Sequence, residues 1–153
     1  MKLYIETTIP NMLFAEDAPE KRRATEVFFA WMRICRDDLY VSALVESELA
    51  LAPEPKRERM ARALRQLPLQ VLPVTAQAEA LANSYLAAGI WTPRSKDDAV
   101  HVATAVCHEL DVVVSWNMRD LANVRRVARI NEFNTRRGLG AIRIATPEEV
   151  MDT

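Results

Sequence analysis

The chain has 153 residues, half of them hydrophobic and 27% charged, which is the composition of one ordered globular domain and excludes a disordered chain. Its 20 basic and 21 acidic residues leave a net charge of -1, so any contact with nucleic acid or an anionic membrane must use local patches. With only 3 glycines, Gly89, Gly138 and Gly140, neither GxGxxG nor GxxxxGK[ST] can be drawn, which excludes the glycine-rich phosphate loops.

Short apolar runs alternate with longer helical patterns. Leu3-Tyr4-Ile5 reads as a strand. A long helix follows, with core positions near Ala24, Val27, Phe28, Trp31 and Met32. Leu39-Tyr40-Val41 is a second strand, and Ser42 is placed to cap a helix running to about Leu51. A charged helix spans about Lys56 to Gln66, and Leu69 to Leu72 is a third strand. Thr75 starts a helix that ends at Gly89. Ser95 opens another, reaching about Leu110. Val112 to Ser115 is a wholly buried strand, Asn123 to Arg137 a basic helix, Ala141 to Ile144 a last strand, and Pro147 begins a short final helix. This alternation predicts a single domain, 1–153, of α/β class. Its architecture is built from βαβ units, with a mainly parallel sheet covered by helices on both faces.

Cys35 and Cys107 lie far apart and form no CxxC, so they read as two buried free thiols of a reducing cytosol and not as zinc ligands. Lys2 and Glu6 stand where a signal peptide is apolar, and no run approaches the roughly 18 apolar residues of a membrane span. The expected location is the cytoplasm.

Sites in parallel sheets gather at the carboxyl ends of strands. Glu6 ends the first strand, with Thr7 and Thr8 behind it. Glu48 falls in the apolar stripe of its helix, among Leu44, Val45, Leu49 and Ala52, where a carboxylate is costly unless paired or bound to a metal. Asp98 leads the stripe Ala99, Val102, Ala103, Val106 and Leu110, although Ser95-x-x-Asp98 also has capping-box spacing. His101 reads as a satisfied helical histidine on a neighbouring face. Asn117 follows the fourth strand, where an ordinary Asx turn is the alternative. Together these oxygen ligands suit Mg²⁺ or Mn²⁺, the usual device for phosphate-ester hydrolysis.

These segments resemble the PIN-domain family, in particular the VapC-type toxins of bacterial toxin–antitoxin pairs. The carriers are Leu3 to Pro10, Val41 to Leu49, Asp97 to Ala105, Val114 to Asn123 and Ile144 to Glu149, in that order. The resemblance implies a Rossmann-like three-layer α/β/α fold with a mainly parallel central sheet, and a Mg²⁺- or Mn²⁺-dependent endoribonuclease, inhibited by an antitoxin and often dimeric. It maps the acidic positions onto Glu6, Glu48 and Asp98 as metal ligands, with Asn117 in the fourth place. The first acid is Asp in most relatives, and so is the fourth. Many relatives carry His where Asp120 stands.

Substrate contacts are expected from Thr7, Ser42, Trp116 and Arg119. Two arginine-rich stretches, Lys56 to Arg65 and Arg119 to Arg137, either track phosphates or form solvated helix faces. Two other readings remain open: a degenerate PIN module that binds RNA or a protein without cutting, and an unrelated hydrolase of small phosphates.

Overall fold

A computed structural model describes residues 1–152. Five strands, β1 (Lys2–Ile5), β2 (Asp38–Ser42), β3 (Leu69–Leu72), β4 (Val112–Val114) and β5 (Arg143–Ala145), form one sheet in the order β3-β2-β1-β4-β5. All four pairings are parallel, and Tyr4 lies opposite Tyr40 on one side and Val113 on the other. Apart from Lys2 at the start of β1, the central strands β1 and β4 are apolar, because helices cover both faces of the sheet. Leu3, Tyr4, Ile5, Val113 and Val114 are completely buried.

The helices are α1 (Thr8–Met12), α2 (Pro19–Met32), α3 (Ala43–Leu49), α4 (Lys56–Arg65), α5 (Ala76–Ala87), α6 (Lys96–Cys107), α7 (Val124–Arg136) and α8 (Pro147–Met151). Right-handed crossovers carry α1 to α4 over one face and α5 to α7 over the other. The chain reverses direction across the sheet between β1 and β4, which makes the crevice there the switch point of the fold. No helix among the described residues is long and apolar enough to cross a membrane.

Several sequence expectations need adjustment. The short α1 was not foreseen; Pro10 sits in its first turn, where a missing N–H costs nothing. In α2 the buried face is Thr25, Phe28, Phe29 and Met32, a strict i, i+3, i+4, i+7 set. Val27 lies off that face and is 57% exposed. Helix α3 stops at Leu49, and Leu51 projects into solvent. Cys35 and Cys107 are free but only half-buried.

Ser42, Thr75 and Asn123 cap α3, α5 and α7 through side-chain oxygens, as their positions imply. Ser95 does not cap α6: it ends a 3₁₀ turn, Pro93–Ser95, and its φ, ψ of -104, 28 is not the extended backbone that aims a cap at the first turn. The capping box Ser95-x-x-Asp98 is therefore not formed, and Asp98 is left for other work.

Candidate active site

Four segments converge at the carboxyl edge of the sheet around β1 and β4. Glu6 and Thr7 leave β1, Glu48 comes from the second turn of α3, Asp98 from the first turn of α6, and residues 115–120 follow β4.

Glu6 is almost fully buried, 4% exposed. Its Oε2 accepts three hydrogen bonds: from the Thr8 amide at 3.0 Å, from the Thr8 hydroxyl, and from Ser115 Oγ at 2.9 Å. Those donors are themselves fixed, since Thr8 Oγ1 accepts from the Trp116 amide and Ser115 Oγ from the Asn117 amide, both at 2.9 Å. The β1 and β4 ends are thus stitched together through one carboxylate oxygen.

Glu48 is anchored the same way. Its Oε1 accepts from Thr7 Oγ1 at 2.7 Å and meets His101 Nε2 at 2.6 Å. Burial alone would raise the Glu48 carboxyl, but the hydrogen bonds from His101 and from the Thr7 hydroxyl hold it below the usual carboxylate range. In each glutamate one oxygen is saturated, while among the described residues nothing donates to Glu6 Oε1 or Glu48 Oε2.

Asp98 is half-buried, and no described group donates to its carboxylate. Burial, then the charges of Asp120, Glu6 and Glu48, push its pKa up to about 6. Three further acids therefore bear on Asp98, the strongest of them Asp120. Among the described residues no three His, Cys, Asp or Glu side chains form a ready-made cage for a metal ion.

The other expected site residues divide. Asn117 makes the Asx turn: its Oδ1 accepts from the Asp120 amide at 3.0 Å. Arg119 is exposed at the rim. Thr7 faces Glu48. Ser42 and Trp116, expected to meet substrate, are turned inward instead. Ser42 is completely buried against Tyr4, and the Trp116 indole N–H donates to Thr25 at 2.9 Å. Trp116 is a core aromatic with Lys21 against its ring, not a free stacking platform.

Tyr4, His101, Ser115 and Asp120 were not singled out as site residues from sequence. The signal for two of them was present. Tyr4 and Glu6 are two apart on one strand, and Asp98 and His101 three apart on one helix, so each pair shares a face.

The arginine stretches are mostly committed to the protein. On α4, Arg57 pairs with Glu54, and Arg62 and Arg65 with Glu58. On α7, Arg126 donates to the carbonyls of Ile90, Arg119 and Asp120 and lies over the Trp91 ring. Trp91 Nε1 also donates to Asp120 O, at 2.8 Å. These contacts clamp the loop that presents Asp120. Arg126→Ala is expected to lower stability by about 1–3 kcal/mol and to speed amide exchange in residues 117–122. Unchanged exchange there would show the loop to be held by other means.

An apolar cavity of about 590 Å³ lies elsewhere, beneath α3 and α4 and lined by Val41, Val45, Leu49, Leu64 and Val71 among others. It contains none of the four acids and has no place in the chemistry.

The sequence matches the PIN domain family over residues 3–127, and the chain belongs to that family. No curated protein matches it. Among solved structures it is similar to the Mycobacterium tuberculosis toxin VapC20, described as cleaving the sarcin–ricin loop. There the TM-score is 0.58 at 18% identity, covering 77% of this chain and 92% of that one. It is also similar to VapBC2 of Rickettsia felis, bound to a fragment of promoter DNA, with a TM-score of 0.56 at 10% identity and coverage of 95% and 98%. VapBC-1 of nontypeable Haemophilus influenzae gives a TM-score of 0.54 at 16% identity, covering 84% and 94%. At these identities the likeness is one of fold.

Proposed function

We infer that this protein is a metal-dependent endoribonuclease and the toxin of a toxin–antitoxin pair, acting in the cytoplasm. The carrying observation is that Glu6, Glu48 and Asp98 come from β1, α3 and α6 to one strand edge, each glutamate with one oxygen held by protein donors, while burial and then the charges of Asp120, Glu6 and Glu48 raise the Asp98 carboxyl to about 6. Like charges kept this close are stable only with a cation to offset them or with a proton shared among them. The donor set fits Mg²⁺ or Mn²⁺. It is all oxygen, and each glutamate keeps one oxygen without a donor. Mg²⁺ takes only one or two carboxylates directly and keeps several waters, so a set that is not a closed cage suits it.

Glu6, Glu48 and Asp98 would hold the ion. When bound, it would lower the pKa of a water and neutralise charge on the phosphate oxygens. The chain's own part is positional. Thr8 and Ser115 fix Glu6, and Thr7 and His101 fix Glu48. Arg119 at the rim would meet the phosphate backbone. With water as the nucleophile and the 3′ oxygen as the leaving group, the P–O3′ bond would break and the products would carry a 5′-phosphate and a 3′-hydroxyl. The VapBC complexes among the structural neighbours support a protein antitoxin as partner, and the family resemblance supports a homodimer.

The test is incubation of mixed RNA with Mg²⁺ or Mn²⁺, with and without EDTA, followed by end analysis. Cleavage that survives EDTA, or ends bearing 3′-phosphate, would sink the reading. One observation favours the rival module that binds without cutting: Asn117 carries no charge, and its carbonyl oxygen is spent on the Asp120 amide. Asn117→Asp separates the two. It keeps the turn acceptor and adds a charge, so in a nuclease it should lower the Mg²⁺ concentration for half-maximal cleavage several-fold. Absence of cleavage in both parent and variant would favour the binding module.

A further inference from the structure

Behind Glu48 runs a chain of buried hydrogen bonds that the proposed chemistry does not itself require. Ser42 Oγ lies 2.7 Å from Tyr4 Oη, Tyr4 Oη 2.6 Å from His101 Nδ1, and His101 Nε2 2.6 Å from Glu48 Oε1. Ser42 and Tyr4 are 0% exposed and His101 1%. At such burial every proton needs an acceptor, because an unmet donor costs about 1–3 kcal/mol.

That requirement fixes the direction of the chain. Ser42 Oγ already accepts from the Val45 amide, at 3.3 Å, as the cap of α3. Among the described residues the one acceptor within reach of the Ser42 hydroxyl proton is Tyr4 Oη. Tyr4 then has its own proton to give, and its remaining neighbour is His101 Nδ1. His101 Nδ1 is thus an acceptor without a hydrogen, and the imidazole proton sits on Nε2, facing Glu48. The reverse direction would strand the Ser42 proton with nothing to accept it.

We propose that Ser42 and Tyr4 are positioning residues that keep the ring proton of His101 on Nε2, so that His101 donates to Glu48 Oε1 and leaves Oε2 as the oxygen turned to the ion. The proposal rests on the metal-dependent reading for its purpose, but the tautomer itself does not depend on metal or RNA. Thr7 supplies the second donor to the same oxygen, at 2.7 Å, and together they stop the carboxylate from rotating. Second-sphere donors of this kind are typically worth 10–100-fold in metal affinity.

The experiment begins with the parent protein free of metal. The chain has 2 histidines, His101 and His108, so ¹⁵N-detected couplings of the imidazole rings are readily assigned with a His108→Gln reference. The expected pattern for His101 at pH 7.5 is a protonated Nε2, coupled to both ring carbon protons, and a bare Nδ1. An imidazolium, or a proton on Nδ1, would overturn the proposal whatever the nuclease assay shows. Tyr4→Phe should release Nδ1 and give a mixture of tautomers, while weakening Mn²⁺ binding several-fold by calorimetry. His101→Ala should weaken it about 10–100-fold, and His101→Gln, which keeps an N–H donor, should restore much of the loss. Equal Mn²⁺ affinity in the Ala and Gln variants would leave His101 a packing residue. The expected tautomer with no RNA cleavage would count against the nuclease reading and not against the relay.

Discussion

Asp98→Asn is expected to lower RNA cleavage by about 10³-fold or more, the several kcal/mol that a lost metal ligand removes from transition-state stabilisation, while making the metal-free protein harder to unfold. The two effects share one cause. Burial and the charges of Asp120, Glu6 and Glu48 raise the Asp98 carboxyl to about 6, so the fold holds that charge at a cost. Discounted for the part of the side chain that water still reaches, the cost is on the order of 1 kcal/mol, or very roughly 2–5 °C in melting temperature. The pH dependence carries an unusual sign. Between the unfolded value near 4 and the folded value of about 6, the native state binds more protons than the unfolded one, so this group makes stability fall as pH rises. Urea denaturation in EDTA from pH 4.5 to 7.5 should show that fall in the parent and a flatter line in Asp98→Asn. Asp97→Asn is the control, because Asp97 is exposed and lies off the cleft face. If Asp97→Asn loses as much activity, or Asp98→Asn melts lower, the acid has been chosen wrongly.

Glu48 is expected to behave in the opposite way. Its carboxyl is held low, so its contribution to stability is present above the ordinary glutamate value and is lost as pH falls through the lower folded one. Glu48→Ala removes the acceptor for both the His101 N–H and the Thr7 hydroxyl, two largely buried donors. The expected loss is about 2–4 kcal/mol of stability, together with loss of cleavage. Glu48→Gln keeps a carbonyl oxygen for both donors and should unfold within about 1 kcal/mol of the parent while remaining inactive. Chemical denaturation and RNA cleavage of the two variants separate the structural part of Glu48 from its chemical part. A Gln variant that cleaves at the parental rate would remove Glu48 from the set of metal ligands.

Periodicity made the fold legible because it requires only that apolar residues recur. Val112 to Val114 could be nothing but a buried strand, and the stripe from Ala99 to Val106 nothing but a core helix. Glu48 and Asp98 stood out for the same reason, as charges where the pattern demanded none. What periodicity misses is a polar residue whose partner lies far away in sequence. Tyr4 looks like an ordinary strand aromatic until His101, 97 residues on, is brought to its hydroxyl. Ser42 looks like a helix cap, and it is one, but its proton also sets the relay. Trp116 and Asn117 looked like site residues because they adjoin a strand end. One is turned into the core, and the other spends its amide oxygen on a turn.

The position of β1 in the middle of the sheet, between β2 and β4, also dictates when the acidic cluster comes into being. A chain made from its N-terminus pairs β1 with β2 early, but the other edge of β1 stays open until Val112–Val114 has emerged from the ribosome. Until then Glu6 lacks Ser115, and α6 has no strand to follow it into the layer that holds Asp98 in place. Such distant pairings are also the slow step of folding. Any product that ends before β4 carries Glu6, Glu48 and, once α6 has begun, Asp98, but lacks the β4 edge and the Ser115 hydroxyl that hold Glu6 in the cluster.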